Sequence, residues 1–506
     1  MKIHHITLLS AALAITTACQ NKPSVPKEFQ YAKDSLAIFP DYKDIIIPSN
    51  IAPLNFQVKN DAKRILVEIC ADNKTKVVEA NNNQELILSE QDWKELVKEE
   101  HGKGISFHIF VETENGWMRY PDFNMHVAQE PIDRYVSYRL IEPGYELYRQ
   151  MGLYQRDMQS FEVKTIYENN RVHDLDDNHC VNCHNYQNYS AENMLFHVRS
   201  AHGGTIIGNK KLTKYDMKVD SVLSGAVYPS WHPKMNRIAF SSNLTGQSFH
   251  LNYEEKVEVM DSGSDLVYYD VDKNVIRNIL KTDSAMETFP CWNPEGNKLY
   301  YCCAPAPKPD ATDLNNMQYL TLKYYNQLRY DILSLDFDPV KETFGEPQMV
   351  VACSTEGRSA AVPRISPDGK YLLYTKGDYG QFHIWHKSAD LWVKNLKDGT
   401  EYPLSAANSN DVDSYHSWSS NGRWIVFSSR RDDKNYTRLY LAYFDKHGQA
   451  HKAFMLPQEK PTDNILLLKS YNVPELTKDA VKWNADDFKN AIYHQNAKKA
   501  DYSPKK

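Results

Sequence analysis

Cysteine is scarce in this chain: eight in 506 residues, too few for a disulfide scaffold. No stretch reaches 18 apolar residues, which excludes a hydrophobic spanning helix. Neither sign of charge dominates. With 59 Lys+Arg against 65 Asp+Glu the formal net charge is −6, so nothing electrostatic points to nucleic acid as a partner. Hydrolase signatures are missing too: there is no G-x-S-x-G, no H-E-x-x-H and no P-loop. The absence of any catalytic motif points away from a hydrolase and leaves open whether the protein is an enzyme. What is present is bulk for folding. Hydrophobic residues make up 42% and aromatics 12%, enough for large cores. The length suits about three domains, or one large β domain with a smaller companion.

The N-terminus sets the compartment. Residues 1–19 read MKIHHITLLSAALAITTAC, a short positive start followed by an apolar run too short to cross a bilayer. The small residues just before Cys19 resemble a bacterial lipobox. That resemblance implies a signal peptide over 1–18 and a lipid on Cys19; the alternative is an ordinary secretory signal. The mature chain is then exported and held to a membrane by its N-terminal lipid. Gln20, rather than Asp, follows the cysteine and favours the outer membrane, facing the periplasm, with the cell surface open. Residues 19–41 are polar and Pro-containing and suit a tether.

Residues 42–130 alternate in short segments, such as 55–58, 64–69 and 105–111, which predicts a small immunoglobulin-like β-sandwich. From 131 onward repeats appear. Trp231 to Phe240, Trp292 to Tyr301, Ile365 to Tyr374 and Trp418 to Phe427 align without gaps. Each runs from a bulky apolar residue through a polar turn to an aromatic residue, which is the pattern of a β-hairpin. Further strands follow each one, so every repeat reads as a four-stranded propeller blade. The hairpins resemble the W-S-P-D-G-K-x-I-A-F motif of TolB-like propellers. The predicted fold class is therefore all-β, a propeller of about six blades over 131–456 preceded by the sandwich. Two weaker blades, 135–168 and 179–220, begin it. The insertion at 305–326 reads as a long loop. Residues 457–506 read as a polar linker, a short helix bearing Phe488, Ala491 and Ile492, and a tail.

One motif carries strong chemistry. Cys180-Val181-Asn182-Cys183-His184 is C-x-x-C-H, the attachment pattern of c-type haem. Two thiols at this spacing reach the two vinyl groups of one porphyrin edge, and the next residue supplies the proximal imidazole. The motif predicts one covalent haem c on Cys180 and Cys183, with His184 as iron ligand. A disulfide, a zinc half-site and a vestigial motif are the competing readings. For the distal position His202 comes first, because a hairpin would bring it beside the motif. His197 is second and Met194 third. Five-coordinate iron also stays open, as does a backbone hydrogen bond as the role of His202. The chain resembles lipoproteins of gut-type anaerobic bacteria that combine such a propeller with this motif. The resemblance carries Cys180, Cys183 and His184 over to haem binding; motif and propeller together lead to the expectation of electron transfer or a haem-linked redox role, with the propeller as docking face for a periplasmic redox or protein partner. The alternative is a non-haem binding or assembly lipoprotein whose propeller takes protein or glycan.

Other candidates read as structural. Cys291 and Cys302 face one hairpin as a bridge or as buried thiols, and Cys70 and Cys353 read as core residues. His383 and His386 flank Trp385 in an expected strand, and His232 fills a turn. Asp411, Asp413, Asp432 and Asp433 read as solvated loop carboxylates.

Overall fold

The computed structural model describes residues 23–72, 74–98, 100–142, 150–171, 179–250, 253–307 and 317–504. Cys19 and the signal segment lie outside the described residues.

The N-terminal domain is a two-sheet sandwich. One sheet has seven strands, among them Ile65–Ala71, Gly104–Thr113 and Phe123–Val127. The other has three, Ile38–Phe39, Phe56–Val58 and Glu85–Leu86. Phe56 joins the layers, with its ring 6.1 Å from Phe107 and 6.0 Å from Phe123. A helix over Glu90–Val97 is capped by Ser89, whose hydroxyl accepts from the Asp92 amide. It buries Trp93, whose indole donates to the Ile51 carbonyl at 2.9 Å. The expected tether is shorter than 19–41, because Gln30–Tyr31 and Ile38–Phe39 already pair with these sheets.

Six sheets of four or five strands follow, one per blade. In blades 3 to 6 the repeats seen in the sequence are the hairpins joining the two inner strands. Trp231 pairs Ile238, Trp292 pairs Leu299, Ile365 pairs Leu372 and Trp418 pairs Ile425. Blade 2 takes the motif into its innermost strand, His179–Gln187, paired antiparallel to Ser190–Ser200. The chain is a six-bladed β-propeller.

The C-terminal region is not a simple linker and tail. Ser470–Thr477 adds antiparallel to Tyr135–Ile141 as the innermost strand of blade 1, so the two ends of the chain close the ring. The helix Ala485–His494 packs Phe488 against Phe196 of blade 2, with ring centroids 5.3 Å apart. Lys498–Lys499 and Asp501–Tyr502 then extend the outer edges of blades 2 and 3. Covering open edges in this way removes templates for unwanted strand pairing. Residues expected as loop at 305–326 include a helix over Met317–Tyr324, and a short helix covers Asp463–Leu466.

The sandwich is fastened to the last blade. Trp424 Nε1 donates to the Glu130 carbonyl at 3.1 Å, and the Ser420 amide and hydroxyl both donate to Asp133. The cores run together from Trp93 through Trp418 and Trp424. The Asp411 and Asp413 carboxylates are not solvated: both are buried, ion-paired to Arg430 at 3.0 Å and Arg431 at 2.6 Å. Among the described residues, no helix is long and apolar enough to cross a membrane.

Candidate functional site in the propeller channel

Each innermost strand breaks its register at the same place. The breaks follow Asn182, Val227, Thr288, Ala361 and Ser414, with the matching one in blade 1 between Ser137 and Arg139 of the partner strand. At each break one residue has a positive φ: Cys183 at 51°, Tyr228 at 46°, Phe289 at 51°, Val362 at 54°, Tyr415 at 46° and Val473 at 48°. None is glycine, and for the bulky and β-branched members this conformation is strained. The residue after it is His184, Pro229, Pro290, Pro363, His416 or Pro474. Proline has no N–H to leave unpaired at a bulge, which explains its use in four of these positions. The six bulges turn these residues into the central channel, where all six line one cavity.

That cavity is where the sequence motif lands. Cys180, Cys183 and His184 all face it. Both thiols are free, so the disulfide reading is not realised here, and Cys291 and Cys302 are likewise unbridged. Burial raises the Cys180 thiol pKa, while the nearby Arg139 and Arg199 pull it down. The His184 imidazole is buried, and burial, helped by Arg139, lowers its pKa to about 3, so the ring is neutral. Neither ring nitrogen has a hydrogen-bond partner. The Val473 backbone lies beside the ring, and the Glu475 carboxylate is 3.6 Å from Nε2. Glu475 itself is pushed up to about 7 by burial, against the pull of Arg364 and of Asn185, which donates to it at 2.9 Å.

Unpartnered buried polar atoms gather around the motif: Arg139 Nε, Asn182 Oδ1, both His184 nitrogens, Asn472 Oδ1 and Glu475 Oε2. Buried polar groups are normally satisfied, so such a cluster is where water, a polar ligand or a prosthetic group would bind. The donor set fits haem c: two free thiols and an unpartnered neutral imidazole on one cavity wall. The guanidiniums of Arg139, Arg199 and Arg364 line the same cavity and suit acidic groups on a ligand. Phe289, Tyr228, Tyr415, Phe382 and Trp385 give it aromatic walls. Its volume is about 230 Å³, so it encloses only part of a porphyrin.

The channel mouth is walled by the long hairpin Arg237–Phe249 and Val257–Asp270 of blade 3. Buried Glu258 fastens it to blade 5, accepting from Tyr379 at 2.8 Å and lying 3.2 Å from His386 Nε2. Asp261 accepts from Asn243, Thr245 and Gln381, and burial raises its pKa to about 6. His383 and Trp385 belong to a single turn of 3-10 helix rather than a strand.

The three distal candidates sit elsewhere. The His202 ring packs on Tyr493 of the C-terminal helix, with centroids 4.3 Å apart, and does not line the cavity. The hairpin does bring it to the Cys180 end of the motif, 6.4 Å from the His179 ring. His197 points between blades 2 and 3, with Nδ1 2.8 Å from Thr205 Oγ1 and its ring 5.7 Å from Phe240. Met194 is buried in the core with Phe196 and Phe488. Met151, in the third strand from the axis in blade 1, is the cavity-lining thioether that sequence reasoning missed. Arg139, Arg199 and Arg364 were missed as well. The signal for the bulges was legible. Tyr228-Pro-Ser-Trp231, Phe289-Pro-Cys-Trp292, Val362-Pro-Arg-Ile365, Val473-Pro-Glu-Leu476, Tyr415-His-Ser-Trp418 and Cys183-His-Asn-Tyr186 share one frame.

No protein-family profile matches the chain, and no curated protein does. Solved structures of low identity resemble it. The β-propeller domain of the Trilobed protease from Pyrococcus furiosus is 10% identical, covers 83% of this chain and 97% of its own, and has a TM-score of 0.32. Prolyl oligopeptidase B from Galerina marginata is 8% identical, covering 70% and 49%, with a TM-score of 0.33. Dihydro-heme d1 dehydrogenase NirN is 9% identical, covering 83% and 76%, with a TM-score of 0.29. Resemblance at this level says nothing about activity.

Proposed function

We propose that this protein is a haem c-binding propeller, related to TolB-like lipoproteins and anchored through a lipid on Cys19 at the periplasmic face of the outer membrane. Its role is electron transfer or haem-linked redox chemistry. One observation carries the reading: the two free thiols of C-x-x-C-H and an imidazole with no hydrogen-bond partner line one channel cavity amid unsatisfied polar atoms. Cys180 and Cys183 would hold the porphyrin through thioether bonds, and His184 would serve as an iron ligand. Bound haem supplies one-electron redox chemistry. The chain's own part is to keep His184 neutral by burial, to offer Arg139, Arg199 and Arg364 to acidic groups, and to screen the site with aromatic walls. The propeller rim serves as docking face for a periplasmic redox or protein partner.

The test is expression with a c-type maturation system, followed by a pyridine haemochrome spectrum and an intact mass. The expected result is one haem per chain. A mass without haem under functioning maturation overturns the reading.

The second reading is a non-haem binding or assembly lipoprotein whose channel takes a protein or glycan group. The cavity arginines favour it: Arg139 and Arg364 line the cavity, donating to the Val181 carbonyl at 3.4 Å and the Pro363 carbonyl at 2.9 Å. A haem-free protein that binds acidic ligands, and loses them in Arg139→Ala, is its expected signature.

A further inference from the structure

Cys70, which reads as a core residue in the sequence, is only partly buried on the outer face of the N-terminal sandwich. Along the strand Ile65–Ala71, Val67 and Ile69 enter the core, so Glu68 and Cys70 share the opposite face. His108 lies directly across from Glu68 on the neighbouring strand Gly104–Thr113. The ligating atoms of Glu68, Cys70 and His108 all lie within 4.8 Å of one another. They come from two paired strands, so the backbone holds them without a flexible loop.

Further polar side chains surround the three residues. His108 Nδ1 lies on the Glu68 side at 2.8 Å, while Nε2 faces Asp122 Oδ2 at 3.6 Å. Arg119 holds Asp122 in place, with contacts of 2.9 and 3.1 Å. A carboxylate hydrogen-bonded to the second ring nitrogen orients metal-bound histidines and raises their basicity; Asp122 stands on that side of His108, just beyond hydrogen-bond distance. Thr75, paired with Cys70 on the next strand, donates its hydroxyl toward the sulfur at 3.8 Å. Sulfur, imidazole and carboxylate together suit a borderline-soft divalent ion. Three protein ligands leave a fourth tetrahedral position for water.

We propose that Glu68, Cys70 and His108 form a zinc site on the outer face of the N-terminal domain, with Asp122 positioning His108. Binding forms a metal–thiolate bond at Cys70, and the thiol proton leaves to solvent. The site is independent of the channel and stands whether or not haem is attached.

The experiment uses the full chain carrying Cys180→Ser and Cys183→Ser, so that the channel thiols give no signal. Zn²⁺ is titrated calorimetrically and Co²⁺ by absorption. One ion per chain and a thiolate-to-cobalt charge-transfer band are expected. Adding Cys70→Ser should abolish that band. Asp122→Asn should keep the fold by circular dichroism and weaken binding by about 10-fold or more. Absence of stoichiometric binding, or a charge-transfer band that survives Cys70→Ser, overturns the proposal. A His108–Glu68 ion pair alone would lower thermal stability in His108→Ala without any metal-dependent signal, and this also overturns it.

Discussion

Blades 2 and 6 carry the same bulge with a histidine in the same place, yet the two histidines live differently. His416 follows Tyr415 as His184 follows Cys183, and burial lowers both pKa values to about 3. His416 Nε2 lies 3.3 Å from the Leu373 carbonyl oxygen and Nδ1 3.4 Å from Thr375 Oγ1. His184 makes no hydrogen bond of that geometry: the Val473 backbone lies beside it and the Glu475 carboxylate is 3.6 Å from Nε2. The fold therefore accepts a buried imidazole at this bulge, as it accepts proline in four other blades. What sets blade 2 apart is that its imidazole lines the cavity together with two thiols and makes no well-formed hydrogen bond.

The comparison breaks most completely at the thiols. Cys180→Ser with Cys183→Ser should abolish covalent haem, read as loss of the haem mass and of the haemochrome band. The propeller should survive, because other blades form the bulge without a thiol.

The two histidines should then separate. His416→Ala should cost about 2–3 kcal/mol in urea unfolding, from a cavity and two stranded partners, and leave the haem spectrum unchanged. His184→Ala should cost less than that, while changing the axial-ligand signature of the haem. Equal stability losses, with no spectral change from His184→Ala, would remove the distinction.

A subtler difference lies in Glu475, next to His184. Its folded pKa of about 7 stands above the ordinary carboxyl value. Its contribution to stability is therefore complete below about pH 4.5 and is lost as pH rises through 7. Glu475→Gln should match wild type at pH 4.5 and exceed it by roughly 2 kcal/mol at pH 8. Parallel stability–pH curves for the two proteins would contradict the buried acid.

The smallest effect concerns the strain shared by all six bulges. Val473→Gly should cost less than about 1 kcal/mol, since relief of the positive φ offsets lost contacts. Leu476→Ala, three residues along the same strand and fully packed, should cost about 2–4 kcal/mol. A Val473→Gly loss as large as that of Leu476→Ala would mean the bulge is not strained.

The reading of blades from the sequence succeeded where one hairpin holds the signal. Trp231, Trp292 and Trp418 start their repeats, and Asp368-Gly369 and Asn421-Gly422 make turns that any local window detects. Gly369 and Gly422 sit at φ 71° and 67°, as such turns require. The closing strand Ser470–Thr477 was missed because its partner, Tyr135–Ile141, lies more than 300 residues away. Cys70 was misplaced because its strand alternates about a face that the sequence does not label. Asp411 and Asp413 read as solvated because their arginine partners count only once the loops are folded together.

The order of hairpins, the C-x-x-C-H spacing and the short apolar run before Cys19 are local patterns, and local patterns are what a sequence by itself determines. The ring did the rest. It set six bulges facing one axis, aimed Cys180, Cys183 and His184 into a shared cavity, and turned His202 and His197 away from it. Those outcomes depend on strand register and on how each blade packs on the next, and both are decided by contacts between residues far apart in the chain.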